Sequence, residues 1–245
     1  MAAETFTGAA LAVNEPRATF EPAAPATMAS QDGDTYTLNG VKSLVPMAAQ
    51  CEWFVVVAAI DGEVAGFVVP AEAEGLTIES EPYMGLRSAN MATLTLENVA
   101  IPARDRLPRF DLNRLLGLSR IGQCALAVGC CQAVLEYSIP YVKERKAFGE
   151  PIAWRQSVAF MVANMGIEIE GMRLMMLRAA SRAEQGVDFH KDAYLAQLQC
   201  MEKAMEIGTN GIQLFGGAGF VRDYPLEMWY RNLRSIAVLH GSLMV

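Results

Sequence analysis

Two stretches in the second half of this 245-residue chain combine side chains able to hold a ligand. Arg145, Phe148 and Gly149 form a basic, aromatic and glycine turn followed by Gln156, and Gln213 precedes the run Gly216-Gly217-Ala218-Gly219. Taken singly, each has a plain structural reading. The first is an ordinary turn between helices. The glycine run closes a helical pattern instead of following a strand, so it lacks the setting of a dinucleotide-binding fingerprint. It reads as a helix C-cap and a tight turn before a helix at Pro225. His190 and His240 are the only histidines, which excludes a multi-histidine metal site or a relay of several imidazoles within one chain. A neutral imidazole at His240 is a competent base near pH 7. The five cysteines are odd in number and show no C-x-x-C spacing, which points to buried thiols in a reducing cytosol and not to disulfides or zinc. Any chemistry must come from elsewhere, a cofactor being one source.

Apolar residues make up 52% and charged residues 19% of the chain, the composition of a well-buried globular protein of one or two domains. With 20 basic and 27 acidic side chains the formal charge is −7, which argues against affinity won by neutralising nucleic-acid phosphates. No run of 18 consecutive apolar residues predicts a membrane span, and the first residues lack a signal peptide's basic start and apolar run. These features predict a soluble, cytoplasmic protein.

The pattern changes part-way along. Short apolar or alternating runs at 9–13, 35–38, 54–60, 64–69 and 93–96, punctuated by Asn39-Gly40, Asp61-Gly62 and the turn around Gly33, predict an antiparallel β-barrel or sandwich. Past Asp111 helical periods take over. Val158, Met161, Val162, Met165, Ile169, Met172 and Met176 step by three and four, the stripe of an amphipathic helix over 153–183. Further helices are predicted at 112–144, with a kink at Pro140, and at 191–215 and 226–239. Four helices with short connections make an up-down bundle. The fold class is therefore α+β multidomain, with a β domain at 1–107 and a helical bundle at 108–245. The 14 methionines, many on helix stripes, read as core filler.

In combination the motifs say more. The run from Glu144 through Arg145, Phe148 and Gly149 to Ile152, then Gln156, then Gln213-Leu214-Phe215-Gly216-Gly217-Ala218-Gly219, resembles in order and spacing the C-terminal half of the flavin-dependent acyl-CoA dehydrogenases. Upstream, Asn39-Gly40-Val41-Lys42, Met84-Gly85-Leu86-Arg87, Glu97-Asn98-Val99 and Ile101-Pro102 are similar to that family's middle β domain. The resemblance implies a chain lacking the family's N-terminal helical domain. It also implies FAD as cofactor and an acyl-CoA thioester as substrate, with α,β-desaturation as the reaction. In that reaction a carboxylate removes the α-proton while a hydride leaves the β-carbon for the flavin, and hydrogen bonds to the thioester carbonyl acidify the α-carbon.

Residue by residue the resemblance is uneven. Arg145, Phe148, Gln156, Gln213 and Gly217 match the family's contacts to the pyrophosphate and adenine end of FAD, which a neighbouring chain's bundle grips, arginine supplying charge-assisted hydrogen bonds to phosphate. Elsewhere the family pattern is lost. The E-G-T segment that carries the catalytic glutamate reads His240-Gly241-Ser242, and the alternative base position before an arginine reads Ser119-Arg120. The K-x-W-I-T loop reads Lys42-Ser43-Leu44-Val45-Pro46, without the ring and hydroxyl that face the flavin. After Glu15-Pro16, the G-S-D of the earlier strand reads Thr19-Phe20-Glu21. The chain is thus similar to the non-catalytic subunit of heteromeric, steroid-type acyl-CoA dehydrogenases, expected to complete a partner's FAD site. Two alternatives are a self-sufficient dehydrogenase with His240 as its base, and a non-enzymatic scaffold that keeps the bundle for oligomerisation.

Overall fold

The computed structural model describes residues 7–17 and 20–239, so His240 and Thr19 lie outside the described residues. Two compact units divide the chain near Asn113: the described residues through Asn113, joined by Val238 and Leu239, form one, and Arg114–Ala237 the other.

The first unit is a curled sheet of β1 (Ala9–Ala12), β2 (Met28–Asp32), β3 (Thr35–Val45), β4 (Trp53–Ile60), β5 (Glu63–Pro70), β6 (Leu76–Ser80) and β7 (Ala92–Pro102), in the order β1-β4-β2-β3-β7-β6 with β5 also on β4. Its pairs are antiparallel except where β1 and β2 lie parallel to β4. Asp61-Gly62 makes the tight β4–β5 turn, both residues at positive φ (51° and 82°), as a two-residue hairpin connection that follows the strand twist requires. Asn39-Gly40, by contrast, is no turn. It lies within β3, because β7 carries an extra residue opposite it, the pairing stepping from Leu38–Val99 to Gly40–Leu96. The Asn39 side chain accepts the freed Asn98 N–H at 2.8 Å. Glycine is needed at 40 because a Cβ there would meet Thr27 within 2.6–2.8 Å.

A second irregularity matters for the site. Between Lys42–Leu94 and Val45–Ala92 the extra residue is in β3, a bulge that sets Ser43 and Leu44 out of the ladder with Leu44 at φ 57°. Bulges of this kind re-aim side chains beside functional sites. The sheet encloses a core in which Leu38, Phe54, Val56, Phe67, Leu94 and Val99 are fully buried.

The second unit holds α1 (Leu112–Glu144) for most of its length, then a two-stranded hairpin, β8 (Lys146–Ala147) and β9 (Glu150–Pro151), and α2 (Gln156–Glu184), α3 (His190–Phe215) and α4 (Leu226–Ile236). Small residues let its helices close: a Cβ at Gly211 of α3 would lie 2.6 Å from Val134 of α1 and 3.1 Å from Leu226 of α4. Pro140 stays inside α1, which runs on to Glu144. By length and composition α1 could cross a bilayer; here Ala127, Val128, Cys131 and Val134 on one face of it are buried, as in the core helix of a bundle. The cysteines are free thiols, Cys124, Cys131 and Cys200 buried and Cys51 and Cys130 partly so.

Candidate cofactor site

At the end of the bundle where α1 stops, α2 begins and α3 stops, the bundle-side residues gather. Tyr141, in the last turn of α1, stacks on Phe215, the last residue of α3, with ring centroids 3.8 Å apart and planes 13° from parallel. That contact holds the two helix ends together. Arg145 follows α1 with its N–H donating to the Tyr141 carbonyl at 2.8 Å and its own carbonyl accepting from Ile152 N–H at 2.9 Å. The hairpin turns at Phe148 (φ 58°) and Gly149 (φ 88°), which leaves the Phe148 ring 94% exposed. The guanidinium of Arg155 lies 5.6 Å from that ring's centroid and 3.2 Å from Glu150. Gln156 opens α2, and Gln213, in the last turn of α3, accepts the Gly216 N–H on its carbonyl. Arg145, Gln156, Gln213 and Gly217 are all exposed.

Two neighbouring glycines differ in what they are for. At Gly219 a Cβ would come within 2.6 Å of the Ile212 carbonyl oxygen, so packing of the chain on itself demands glycine. At Gly217 a Cβ would meet nothing within 4 Å. Packing within the chain therefore does not demand glycine at 217, and the backbone there is open to close approach. An exposed arginine, two amides, an open aromatic face and a bare glycine backbone are groups suited to the adenine and pyrophosphate of FAD.

The β unit contributes a different arrangement. Lys42 is fully buried, its ammonium donating to Glu15 Oε1 at 2.9 Å and to the Val13 carbonyl at 3.2 Å. Glu15 is buried with it and accepts further bonds from Thr27 N–H, the Thr27 hydroxyl, Ala26 N–H and Arg17. Burial alone raises the Glu15 pKa, but the bonds from Lys42, Thr27 and Ala26 outweigh it and hold the carboxyl down at about 2. For Lys42 burial is the larger effect and Glu15 offsets only part of it, leaving the ammonium at about 8. One residue past Lys42, Ser43 N–H donates to the Asn14 carbonyl at 2.9 Å. On the other side of the bulge Glu81 accepts Leu44 N–H at 3.3 Å, the Thr93 hydroxyl at 2.9 Å and the Tyr83 hydroxyl at 2.8 Å. Burial and that carboxylate push the Tyr83 phenol well above its ordinary range. The bulge is therefore clamped from both sides, which holds Leu44 in a left-handed conformation that costs a non-glycine residue about 1–2 kcal/mol.

Of the other residues singled out by sequence, Phe20 lies 5.8 Å under the Arg17 guanidinium. Ser119 accepts from Gln123, and Arg120, its pKa lowered by burial, lies over the Tyr194 ring at 5.5 Å. Neither Ser119 nor Arg120 is a carboxylate. Among the described residues no group of three or more His, Cys, Asp and Glu side chains could hold a metal ion. Glu81 and Tyr83 carried no sequence signal. Lys42 did carry one: it shares the inward phase of Tyr36 and Leu38 on β3, where a lysine requires a buried anion.

Comparison with known proteins decides the family. Residues 10–99 match the model of the acyl-CoA dehydrogenase middle domain, and residues 111–245 that of the acyl-CoA dehydrogenase C-terminal domain. The chain belongs to the acyl-CoA dehydrogenase family. It is 35% identical to the probable acyl-CoA dehydrogenase YngJ of Bacillus subtilis, over 94% of this chain and 64% of that protein. It is also 31% identical to the caffeyl-CoA reductase-Etf complex subunit CarC of Acetobacterium woodii, over 96% of this chain and 65% of that protein. The butyryl-CoA dehydrogenase structure from Megasphaera elsdenii superposes with a TM-score of 0.89 at 29% identity, covering 96% of this chain and 64% of that one. The chain thus spans less than two thirds of the length of these relatives. The acyl-CoA dehydrogenase family is a family of oxidoreductases whose homologues depend on FAD.

Proposed function

We propose that this acyl-CoA dehydrogenase relative is one subunit of a heteromeric, FAD-dependent enzyme that desaturates an acyl-CoA thioester, and that its bundle end completes the FAD site of a partner acyl-CoA dehydrogenase chain. The observation that carries this reading is the outward-facing set at the bundle end, above all the open space around Gly217 and the 94% exposed Phe148 ring. Gly217 has no packing task within the chain, and the Phe148 ring, with the Arg155 guanidinium 5.6 Å from its centroid, stays open to solvent. Bound FAD supplies the two-electron acceptor for desaturation. The chain's part is to hold it: Arg145 neutralises phosphate charge, Gln156 and Gln213 offer amide hydrogen bonds, Phe148 gives an aromatic face, and Gly217 lets the backbone approach. On the receiving side Leu44 and Pro46 stand where relatives place an aromatic ring and a hydroxyl, and His240 and Ser119 stand where relatives place a carboxylate. The partner then provides the ring seat and the base. The setting is the cytoplasm, and a bulky, steroid-type acyl-CoA is the substrate class we assign.

A second reading has one observation in its favour. Asn14 Nδ2 donates to the Val238 carbonyl at 3.3 Å, which ties the segment leading to His240 to the chain's own β unit. On that reading the protein is self-sufficient and His240 is the base. Anaerobic addition of acyl-CoA separates the two. Bleaching of the flavin that persists unchanged in a complex carrying His240→Gln fits the subunit role; bleaching that disappears with this substitution fits the self-sufficient one.

A further inference from the structure

Phe148 is a poor match for its place in the backbone. With Lys146 paired to Pro151 and Ala147 to Glu150, Phe148 and Gly149 are the central pair of a tight hairpin turn, both at positive φ (58° and 88°). Such a turn favours asparagine or aspartate before the glycine. A phenylalanine is disfavoured in the left-handed region, and a ring 94% exposed recovers little of that cost by burial. The cation over this ring is the Arg155 guanidinium, 5.6 Å from the centroid. Arg155 is itself held at both ends. Its N–H donates to the Ile152 carbonyl and its own carbonyl accepts Ala159 N–H, both at 3.0 Å, which fixes its backbone at the entry to α2. Its guanidinium is tied at 3.2 Å to Glu150 of β9, on the far strand of the same hairpin.

We infer that Arg155 is a positioning residue: it braces one face of the Phe148 ring and leaves the opposite face to a flat ring arriving from outside the chain. The inference deepens the cofactor reading and rests on it for the identity of that ring, the adenine of FAD. Charge argues for a brace over a second phosphate contact, because Glu150 already offsets the Arg155 cation and leaves little net charge for a pyrophosphate. Geometry argues the same way. A cation over an aromatic face is attracted by the ring quadrupole, so the guanidinium limits the rotamers that an exposed turn residue would otherwise sample. A ring ordered before the ligand arrives does not have to be ordered by it, which is the gain of preorganisation.

Two measurements on the purified full chain test this. The first needs no ligand: in NMR spectra of the chain carrying isotope-labelled arginine, Phe148→Leu should move the Arg155 side-chain signals, which the ring current displaces in the wild type, and Glu150→Gln should move them part of the way. Arg155 signals that stay in place in Phe148→Leu overturn the brace. The second is a double-mutant cycle with ADP as probe for the adenine and pyrophosphate end of FAD. Phe148→Leu should weaken ADP binding about fivefold or more, the worth of one stacked base, and Arg155→Met about two- to fivefold, the worth of an exposed cation–π contact. In the Phe148→Leu background Arg155→Met should cost nothing further, because its effect runs through the ring. The same loss in both backgrounds would mark a direct phosphate contact and overturn the inference, as would unchanged affinity in Arg155→Met alone. A wild-type chain whose arginine signals show the brace but which binds no ADP, with or without Arg145→Ala, keeps the brace and denies the cofactor reading.

Discussion

Lys42→Met should destabilise the protein by about 3–5 kcal/mol, the cost of leaving a buried charge without its partner. At about 2–4 °C per kcal/mol for a chain of this size, the melting temperature should fall by roughly 6–20 °C. The reason is local and complete: Lys42 Nζ is the ammonium facing Glu15 Oε1 at 2.9 Å, with side-chain exposures of 0% and 3%. The double variant Glu15→Gln/Lys42→Met should recover most of the loss, because an amide no longer needs a buried cation. Thermal melts of the single and double variants check this, and a single variant as stable as wild type would contradict it. The pH dependence has a definite sign. The Glu15 pKa is depressed from 4.5 to about 2 in the folded protein. The stability it contributes is therefore present above about pH 4.5 and is lost as pH falls toward about 2, amounting to about 3 kcal/mol across that window. Lys42 carries the opposite burden: its lowered pKa of about 8 marks a burial cost that is fully present below about pH 8 and relieved above it. In Lys42→Met the carboxyl loses its cation, so the acid limb of the stability profile should flatten.

Arg145→Ala should weaken FAD binding by the complex of this chain with its partner by about ten- to a hundredfold, the worth of hydrogen bonds to a charged phosphate. The same change should leave the melting temperature of the chain alone within about a degree of wild type, since the side chain is exposed and its backbone bonds to Tyr141 and Ile152 do not depend on it. This split between cofactor affinity and stability is the signature of a residue kept for a ligand. Flavin fluorescence titration of the complex beside thermal melts of the isolated chain reads both. Unchanged FAD affinity would remove Arg145 from the site and favour a scaffold protein.

Long elements with a strong period were legible in the sequence, whereas the bundle-side residues fall in two runs, 145–156 and 213–217, that the helices between them bring to one end of the bundle. The helix stripes predicted α1 to α4 to within a few residues, although the last helix closes at Ile236 and not at 239. The strands Met28–Asp32 and Leu76–Ser80 went unseen: MASQD and LTIES are short and mostly exposed, and only pairing with β3 and β7 makes them strands. Asn39-Gly40 has turn chemistry, but the extra residue in β7 and the approach of Thr27 at Gly40 carry β3 straight through it. The parallel placement of β1 on β4 has no trace in alternation, which reports only which face is buried. For the same reason the β-side cluster was invisible as a unit. Glu15 lies 27 residues from Lys42, and Glu81 lies 37 from Leu44, and nothing local links them.

Flavin absorbance per chain, measured on this protein purified alone and again after co-purification with its acyl-CoA dehydrogenase partner, tests the subunit role at its root. The account predicts little or no flavin in the chain alone and about one FAD for each pair of chains in the complex, bound only when both are present. A yellow homo-oligomer with about one FAD per chain would contradict it and would make His240 the first residue to test as the base.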